Sequence, residues 1–258
     1  MALSLASINK TKPKAHPIVL LYAVEKVGKS SLAAEFPAPV FIQTNGENPP
    51  ADCEVDSFTP DAPLETIDGL FEAIEALFTE EHAFETFVID SADGLEKLVQ
   101  AEACKRNNWP DIEAPGYGKG YVAAEAIWNE VIVALTALRD QKGMNVVLIS
   151  HAETFRFDSP TSDPYARYRP NLRKSTSDLI QAAADIIAFI NYRVSIKKED
   201  VGFNNTVKRG EGSGQRIIYL EERPGFIAGN RYGMPPDIHY KKGEGFKELA
   251  KYLPKAAA

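Results

Sequence analysis

Cysteine is nearly absent from this 258-residue chain. Only Cys53 and Cys104 occur, at a spacing that suits no metal site, which argues against a disulfide framework or a zinc centre. A basic excess is lacking too. Lys and Arg number 29 against 36 Asp and Glu, a net charge of -7. That excludes a general cationic coat for nucleic acid but leaves room for a local basic groove, because steering depends on where charges sit. No apolar run approaches the ~20 residues that cross a bilayer. The N-terminal lysines are not followed by the apolar stretch of a secretory signal, and no internal repeat is visible. The expectation is a soluble, intracellular protein with no membrane partner. What is present is ordinary: 44% apolar and 25% charged residues. The length suits one large α/β domain, or a domain with a small appendage, and is ample for a substantial core.

One stretch organises the rest. Val19-Leu20-Leu21-Tyr22-Ala23 is an apolar run of strand type, followed by Val24-Glu25-Lys26-Val27-Gly28-Lys29-Ser30-Ser31 and then a helix-forming run. This is the layout of a phosphate-binding P-loop, G-x-x-x-x-G-K-[S/T], with Ala23 at the first position instead of Gly. In that pattern the backbone of residues 24–29 and Ser31 cradles phosphate, and Lys29 reaches the β- and γ-phosphates. The Ser30 hydroxyl holds Mg²⁺, so the implied cofactors are ATP and Mg²⁺. Ala23 raises a question, since Gly readily adopts positive φ and a Cβ there could crowd the loop.

Along the chain, residues 1–15 read as a flexible arm, 16–240 as the main domain and 241–258 as a C-terminal helix and tail. Strands are expected at 17–22, 40–43, 84–91 and 144–150. Helices are expected at 29–36, 64–78, 94–106, 121–139 and 174–183. Loops are expected at 44–63, 107–120 and 152–173, rich in Gly, Pro, Asn and Asp. A strand over 184–197, a polar turn region over 200–213, and ribbon strands at 214–220 and 225–228 precede a final helix at 247–253. The alternation gives an α/β fold with a mostly parallel sheet and a β-rich C-terminal edge.

Asp90 ends the strand Phe87-Val88-Ile89, where the acid that holds Mg²⁺ through water would stand in a P-loop protein. The competing reading is an Asp that caps the next helix. Ser150 and His151 end the following strand, where ligands of open α/β sheets gather. They could sense the γ-phosphate or polarise the attacking water, and an ordinary surface His is an equally economical reading. In the 152–173 stretch, Arg156, Tyr165, Arg167, Tyr168, Arg169 and Arg173, with Lys174 beyond, combine cations for phosphates with aromatic faces for bases. Tyr117 and Lys119 begin a smaller second set. Solvated loops or subunit contacts would use the same residue types.

The order Phe41-Ile42-Gln43-Thr44, Val88-Ile89-Asp90-Ser91, Leu148-Ile149-Ser150-His151-Ala152 and Asn230-Arg231-Tyr232-Gly233-Met234-Pro235 behind the P-loop is similar to a known group. So are Gly116-Tyr117-Gly118-Lys119-Gly120-Tyr121 and Tyr168-x-Pro170-x-Leu172. The chain resembles, over roughly residues 16–240, the RecA-core ATP-binding proteins of bacteriophages and prophages, which include single-strand annealing proteins. That resemblance implies a RecA-like P-loop NTPase core, ATP binding, Mg²⁺-dependent hydrolysis, and self-assembly into a ring or filament. It also implies single-stranded DNA binding in recombination in the cytoplasm of a bacterial host, with a single-strand-binding protein as a further partner. The loop after Ser150-His151 would contact DNA. The water-activating acid expected after the second strand falls on Thr44-Asn45, with Glu47 two residues later as its replacement. Arg231 corresponds to a basic residue that reaches a neighbour's nucleotide, while Gly229 stands where such proteins often have Lys. Two alternatives remain: a non-hydrolysing P-loop assembly or interaction protein, and a helicase-loader-type NTPase.

Overall fold

The computed structural model describes residues 11, 14–44, 46–48, 53–160, 163–200 and 206–254, and only the backbone over 194–213. In chain order the elements are β1 (Ile18–Ala23), α1 (Lys29–Ala33), β2 (Pro39–Gln43), β3 (Asp56–Ser57), α2 (Ile67–Thr79), β4 (Thr86–Asp90), α3 (Ala92–Asn107) and α4 (Lys119–Lys142). There follow β5 (Asn145–Phe157), β6 (Tyr165–Pro170), α5 (Lys174–Ala183), β7 (Ile186–Asp200), β8 (Thr206–Tyr219), β9 (Gly229–Asn230), β10 (Asp237–Tyr240) and α6 (Gly245–Ala250).

Six strands in the order β7-β1-β5-β4-β2-β3 are all parallel, with antiparallel β8 and β10 added beyond β7. The expected α/β class, a P-loop core on a mostly parallel sheet with a β-rich C-terminal edge, is therefore what the chain adopts. The reason lies in the strand sequences. β1 is buried at every position, as a strand covered on both faces must be. Its alternate residues feed different cores: Ile18 and Leu20 pack towards α2–α5, Val19 and Leu21 towards α1 and α6. The same division holds for Ile42 against Phe41, and for Val146 against Val147.

Two expectations need correcting. Residues 152–173 are not one loop, because β5 runs on to Phe157 and pairs antiparallel with β6, Ala152 opposite Pro170 and Phe157 opposite Tyr165. Aromatic and Arg residues alternate through both arms and pair across the ribbon, an arrangement that β structure rewards. Likewise 206–213 continues β8 against β7 rather than forming a turn, while residues 225–228 carry only isolated bridges. A third reading changes with α4. By length and composition it is apolar enough to cross a membrane. In this fold it buries one face, with Ile127, Trp128, Val131, Leu135 and Leu138 in the layer it shares with α2, α3 and α5.

The amino edge of the sheet is closed by Asp185, 5% exposed. Its carboxylate accepts from the Ile18 backbone N–H at 3.0 Å, from Arg139 at 2.9 Å and from Arg231 at 3.2 Å. Removing one member of such a buried set strands the others without partners. Asp185→Ala is expected to cost about 3 kcal/mol, read as a lower urea midpoint with an unchanged m-value.

Candidate functional site

All the parallel strands present their carboxyl ends on one edge, and β5 lies between β1 and β4. The loop after β1, the acid at the end of β4 and the middle of β5 therefore meet there, Ala23 being registered with His151. The loop and His151 border a cavity of about 720 Å³ lined by Glu25, Lys26, Gly28, Lys29, Ser30, Ser31, Gly46, Glu47, Asn48 and His151, and Asp90 lies buried beneath Ser30. A crevice beyond the carboxyl ends of the strands is where open α/β sheets bind ligands.

The loop itself has the required backbone. Lys26 (φ 58°) and Gly28 (φ 104°) are left-handed, which turns successive N–H groups inward to form an anion-binding concavity. The positive φ favours glycine at position 28, and a Cβ there would lie 2.7 Å from Arg216 Nη1 and displace that side chain. The question raised by Ala23 is answered by its place as the last residue of β1, in extended conformation and fully buried. No glycine is needed at that position. Lys29, 7% exposed, opens α1 and donates to the carbonyls of Ala23 and Val24, each at 3.5 Å across the loop. Burial lowers the pKa of its ammonium, an effect opposed by Asp90, Glu47 and Asp93.

Ser30 Oγ donates to Asp90 Oδ2 at 2.6 Å. Asp90 is 1% exposed, and its Oδ1 has no hydrogen-bond partner among the described residues. An unsatisfied buried carboxylate oxygen beside a hydroxyl is costly on its own and suits a hard cation that takes oxygen ligands. This donor set fits Mg²⁺, as read from the motif. The capping alternative for Asp90 is ruled out by geometry, because Ser91 caps α3 by accepting from the Gly94 N–H at 3.3 Å. Burial pushes the Asp90 carboxyl up to about 6, although the Ser30 hydrogen bond acts the other way.

Sequence reading missed Asp93. In the first turn of α3, it accepts from the His151 N–H at 3.0 Å and sits 2.9 Å from His151 Nδ1. Burial alone would raise its pKa, but the two contacts with His151 hold it below the usual range. The same pair raises His151, against burial and the charge of Lys29. Glu47 lies 3.6 Å from His151 Nδ1, so His151 stands between two acids, Glu47 and Asp93, beside the cavity. The available signal was the second acid in Asp90-Ser91-Ala92-Asp93, whose spacing turns both carboxylates towards the strand ends.

Other expected residues fall elsewhere. Ser150 is fully buried, donates to the His151 carbonyl at 3.1 Å and does not line the cavity. Arg231 is at the opposite edge, on Asp185 and the Ala182 carbonyl, too far to serve the site of its own chain. Gly229 belongs to β9 beside β7, and Asn45 lies outside the described residues.

The basic and aromatic set divides. Arg167 is a packing residue, its side chain 8% exposed, paired with Glu222 and the Phe226 carbonyl and set over the Phe157 ring. Tyr168 stacks on Phe189, Tyr165 packs on Phe157, and Arg169 binds Glu153 at 2.7 Å over Phe155. Arg156 is exposed on the ribbon beside Asp158. Arg173 lies over the Tyr121 ring at 3.3 Å, which joins the starts of α4 and α5. Tyr117, Lys119, Arg173 and Lys174 are all exposed and share that corner, Lys174 within 2.5 Å of Asp178. Both helix starts lie at the carboxyl edge, because each helix runs down to the beginning of a parallel strand.

In Mg²⁺-free buffer the raised Asp90 pKa has a definite sign. Between about pH 4 and 6 the folded state keeps a proton that the unfolded chain has released, so stability falls as pH rises through that window. Asp90→Asn should flatten this slope and raise the melting temperature at pH 7 in an unfolding series from pH 4 to 8.

No curated protein matches the chain. A solved structure of an ATPase domain is similar at 11% identity and a TM-score of 0.45, over 88% of this chain and 81% of that one. A family model described as an AAA domain matches residues 15–232, which take in the phosphate loop, Asp90, Asp93 and His151. The chain belongs to the AAA domain family.

Proposed function

We propose that this protein is a Mg²⁺-dependent ATPase that binds single-stranded DNA and promotes annealing or recombination in a bacteriophage or prophage setting. It would work as a homo-oligomer, ring or filament, inside a bacterial host, with a single-strand-binding protein as a further partner. One observation supports the nucleotide reading above all others. A left-handed loop opening a helix, a Ser–Asp pair with a spare buried oxygen, and a Glu–His–Asp row converge on one cavity.

Each group then has a task. The amides of residues 24–31 hold the phosphates and Lys29 carries their charge, in a site where a desolvated ammonium interacts more strongly than in water. Ser30 and Asp90 would hold Mg²⁺, which would supply positive charge against that developing on the terminal phosphates. Glu47 orients a water for in-line attack on the γ-phosphorus and takes its proton as the bond to the β-bridging oxygen breaks, leaving ADP and phosphate. His151, clamped by Asp93, is a positive group for the γ-phosphate oxygens. DNA contact is assigned to the exposed corner of Tyr117, Lys119, Arg173 and Lys174, with Arg156 on the ribbon. Tyr165, Arg167, Tyr168 and Arg169 build the ribbon that carries Arg156. Arg231 is proposed to meet a neighbour's nucleotide only if assembly frees it from Asp185.

ATP turnover stimulated by single-stranded DNA, and lost by at least about 100-fold in Lys29→Ala, is the expected result of a phosphate-release assay. Nucleotide binding with no turnover would instead favour a non-hydrolysing assembly protein, and no binding at all would sink the reading. For DNA, affinity should fall steeply with salt. Neutralising Lys119 and Lys174 should reduce the log–log slope by about 0.7 for each phosphate that is no longer neutralised, measured by fluorescence anisotropy. A slope indifferent to both changes would remove the DNA corner.

A further inference from the structure

The phosphate loop is held from outside by a residue that belongs to no part of the motif. Arg216, on β8, donates from Nη1 to the Val27 carbonyl at 3.2 Å. Its guanidinium lies over the Tyr240 ring, 5.0 Å from the centroid. Tyr240 faces Arg216 across the antiparallel β8–β10 pair and is 5% exposed. The Tyr240 hydroxyl reaches Glu35 at 3.2 Å, just past α1. The same carboxylate accepts backbone N–H groups of Gly243 at 2.7 Å, Gly245 at 2.6 Å and Phe246 at 3.1 Å. Arg216 is thus fixed at both ends, and its partner carbonyl is the one that precedes Gly28.

A trans peptide is planar, with its C=O and N–H pointing in opposite directions. Drawing the Val27 carbonyl towards β8 therefore turns the Gly28 N–H away from β8, to the side on which Gly28, Lys29 and Ser30 line the cavity. The positive φ of Gly28 leaves that peptide little restraint of its own, since glycine is the residue most free to rotate. The same free space is filled by Arg216 itself, which stands where a side chain at position 28 would go.

We infer that Arg216 is a positioning residue for phosphate binding, which locks the Val27–Gly28 peptide so that the Gly28 amide is aimed at a bound phosphate before the nucleotide arrives. This rests on the nucleotide reading above. It goes beyond that reading by assigning part of the affinity to a side chain on the C-terminal strands. Preorganised donors bind more tightly because no rearrangement is required on binding. Arg216 acts through the backbone, so its effect should scale with the phosphates that the loop holds, not with the nucleoside.

The test uses the full chain and isothermal titration of ADP and AMP, with Arg216→Met to keep the aliphatic packing on Tyr240 and Arg216→Lys to restore a donor. Expected is an ADP affinity about tenfold weaker in Arg216→Met, as for loss of one charge-assisted hydrogen bond, with AMP affinity within about twofold. Recovery of most of the ADP affinity in Arg216→Lys is expected as well. Wild-type binding with ADP unaffected in Arg216→Met overturns the inference alone. Equal losses for ADP and AMP also overturn it, because a loosened domain would do the same. Wild-type protein that binds neither nucleotide removes the nucleotide reading and this inference with it. Should Arg216→Met melt below the assay temperature, Arg216→Gln is compared with wild type by the same ADP-to-AMP ratio. An unchanged ratio there overturns the inference.

Discussion

A carboxylate placed almost wholly out of water, with one oxygen bonded to a serine and the other unpaired among the described residues, is a state that a fold does not reach for its own stability. Asp90 is in that state because β4 is a central strand and its last residue cannot avoid the floor of the crevice. The nearby groups all answer to it. Ser30 shares its charge through a hydrogen bond, Lys29 stands close enough to feel it, and His151 stands between two further carboxylates, Glu47 and Asp93, next door. The site is consequently an unstable arrangement held by stable surroundings, which is the usual trade at a functional centre.

Much of this was legible in the sequence because it is written locally. The strand–loop–helix around Lys29 depends on neighbours within a few residues, as do the fully buried β1, β2 and β4 runs and the long apolar period of α4. What was misread depends on distant partners. The 152–173 segment looks like a loop by composition, but becomes a ribbon because its arms find each other. Arg167 looks like a surface cation, but is buried where Glu222 and the Phe226 carbonyl, more than fifty residues away, both accept from its Nη2. Asp93 carried a faint signal in its spacing from Asp90. Arg216 carried none, since only the sheet order brings β8 past β7 to the flank of the phosphate loop.

Ala23 shows how a motif should be weighed. A departure from a consensus glycine matters where the backbone needs a left-handed conformation. In this loop that need falls on Lys26 and Gly28, while position 23 belongs to a strand. The short polar side chains of the loop and the exposed corner at Tyr117 and Arg173 then lie on the same edge of one sheet. Phosphate handling and the basic corner are therefore neighbours by topology, through α4 and α5, without sharing a residue.

His151 and Phe157 are part of one uninterrupted strand, β5, whose outer half leaves the sheet and continues as a paired ribbon. Asn171, just past the returning arm, donates its N–H to the His151 carbonyl at 2.8 Å, so both arms of the ribbon are anchored at the same point. Six residues of strand reach about 20 Å. A tilt of about 5° at that anchor would carry the tip through about 2 Å, so the ribbon is a pointer whose pivot is the wall of the phosphate cavity.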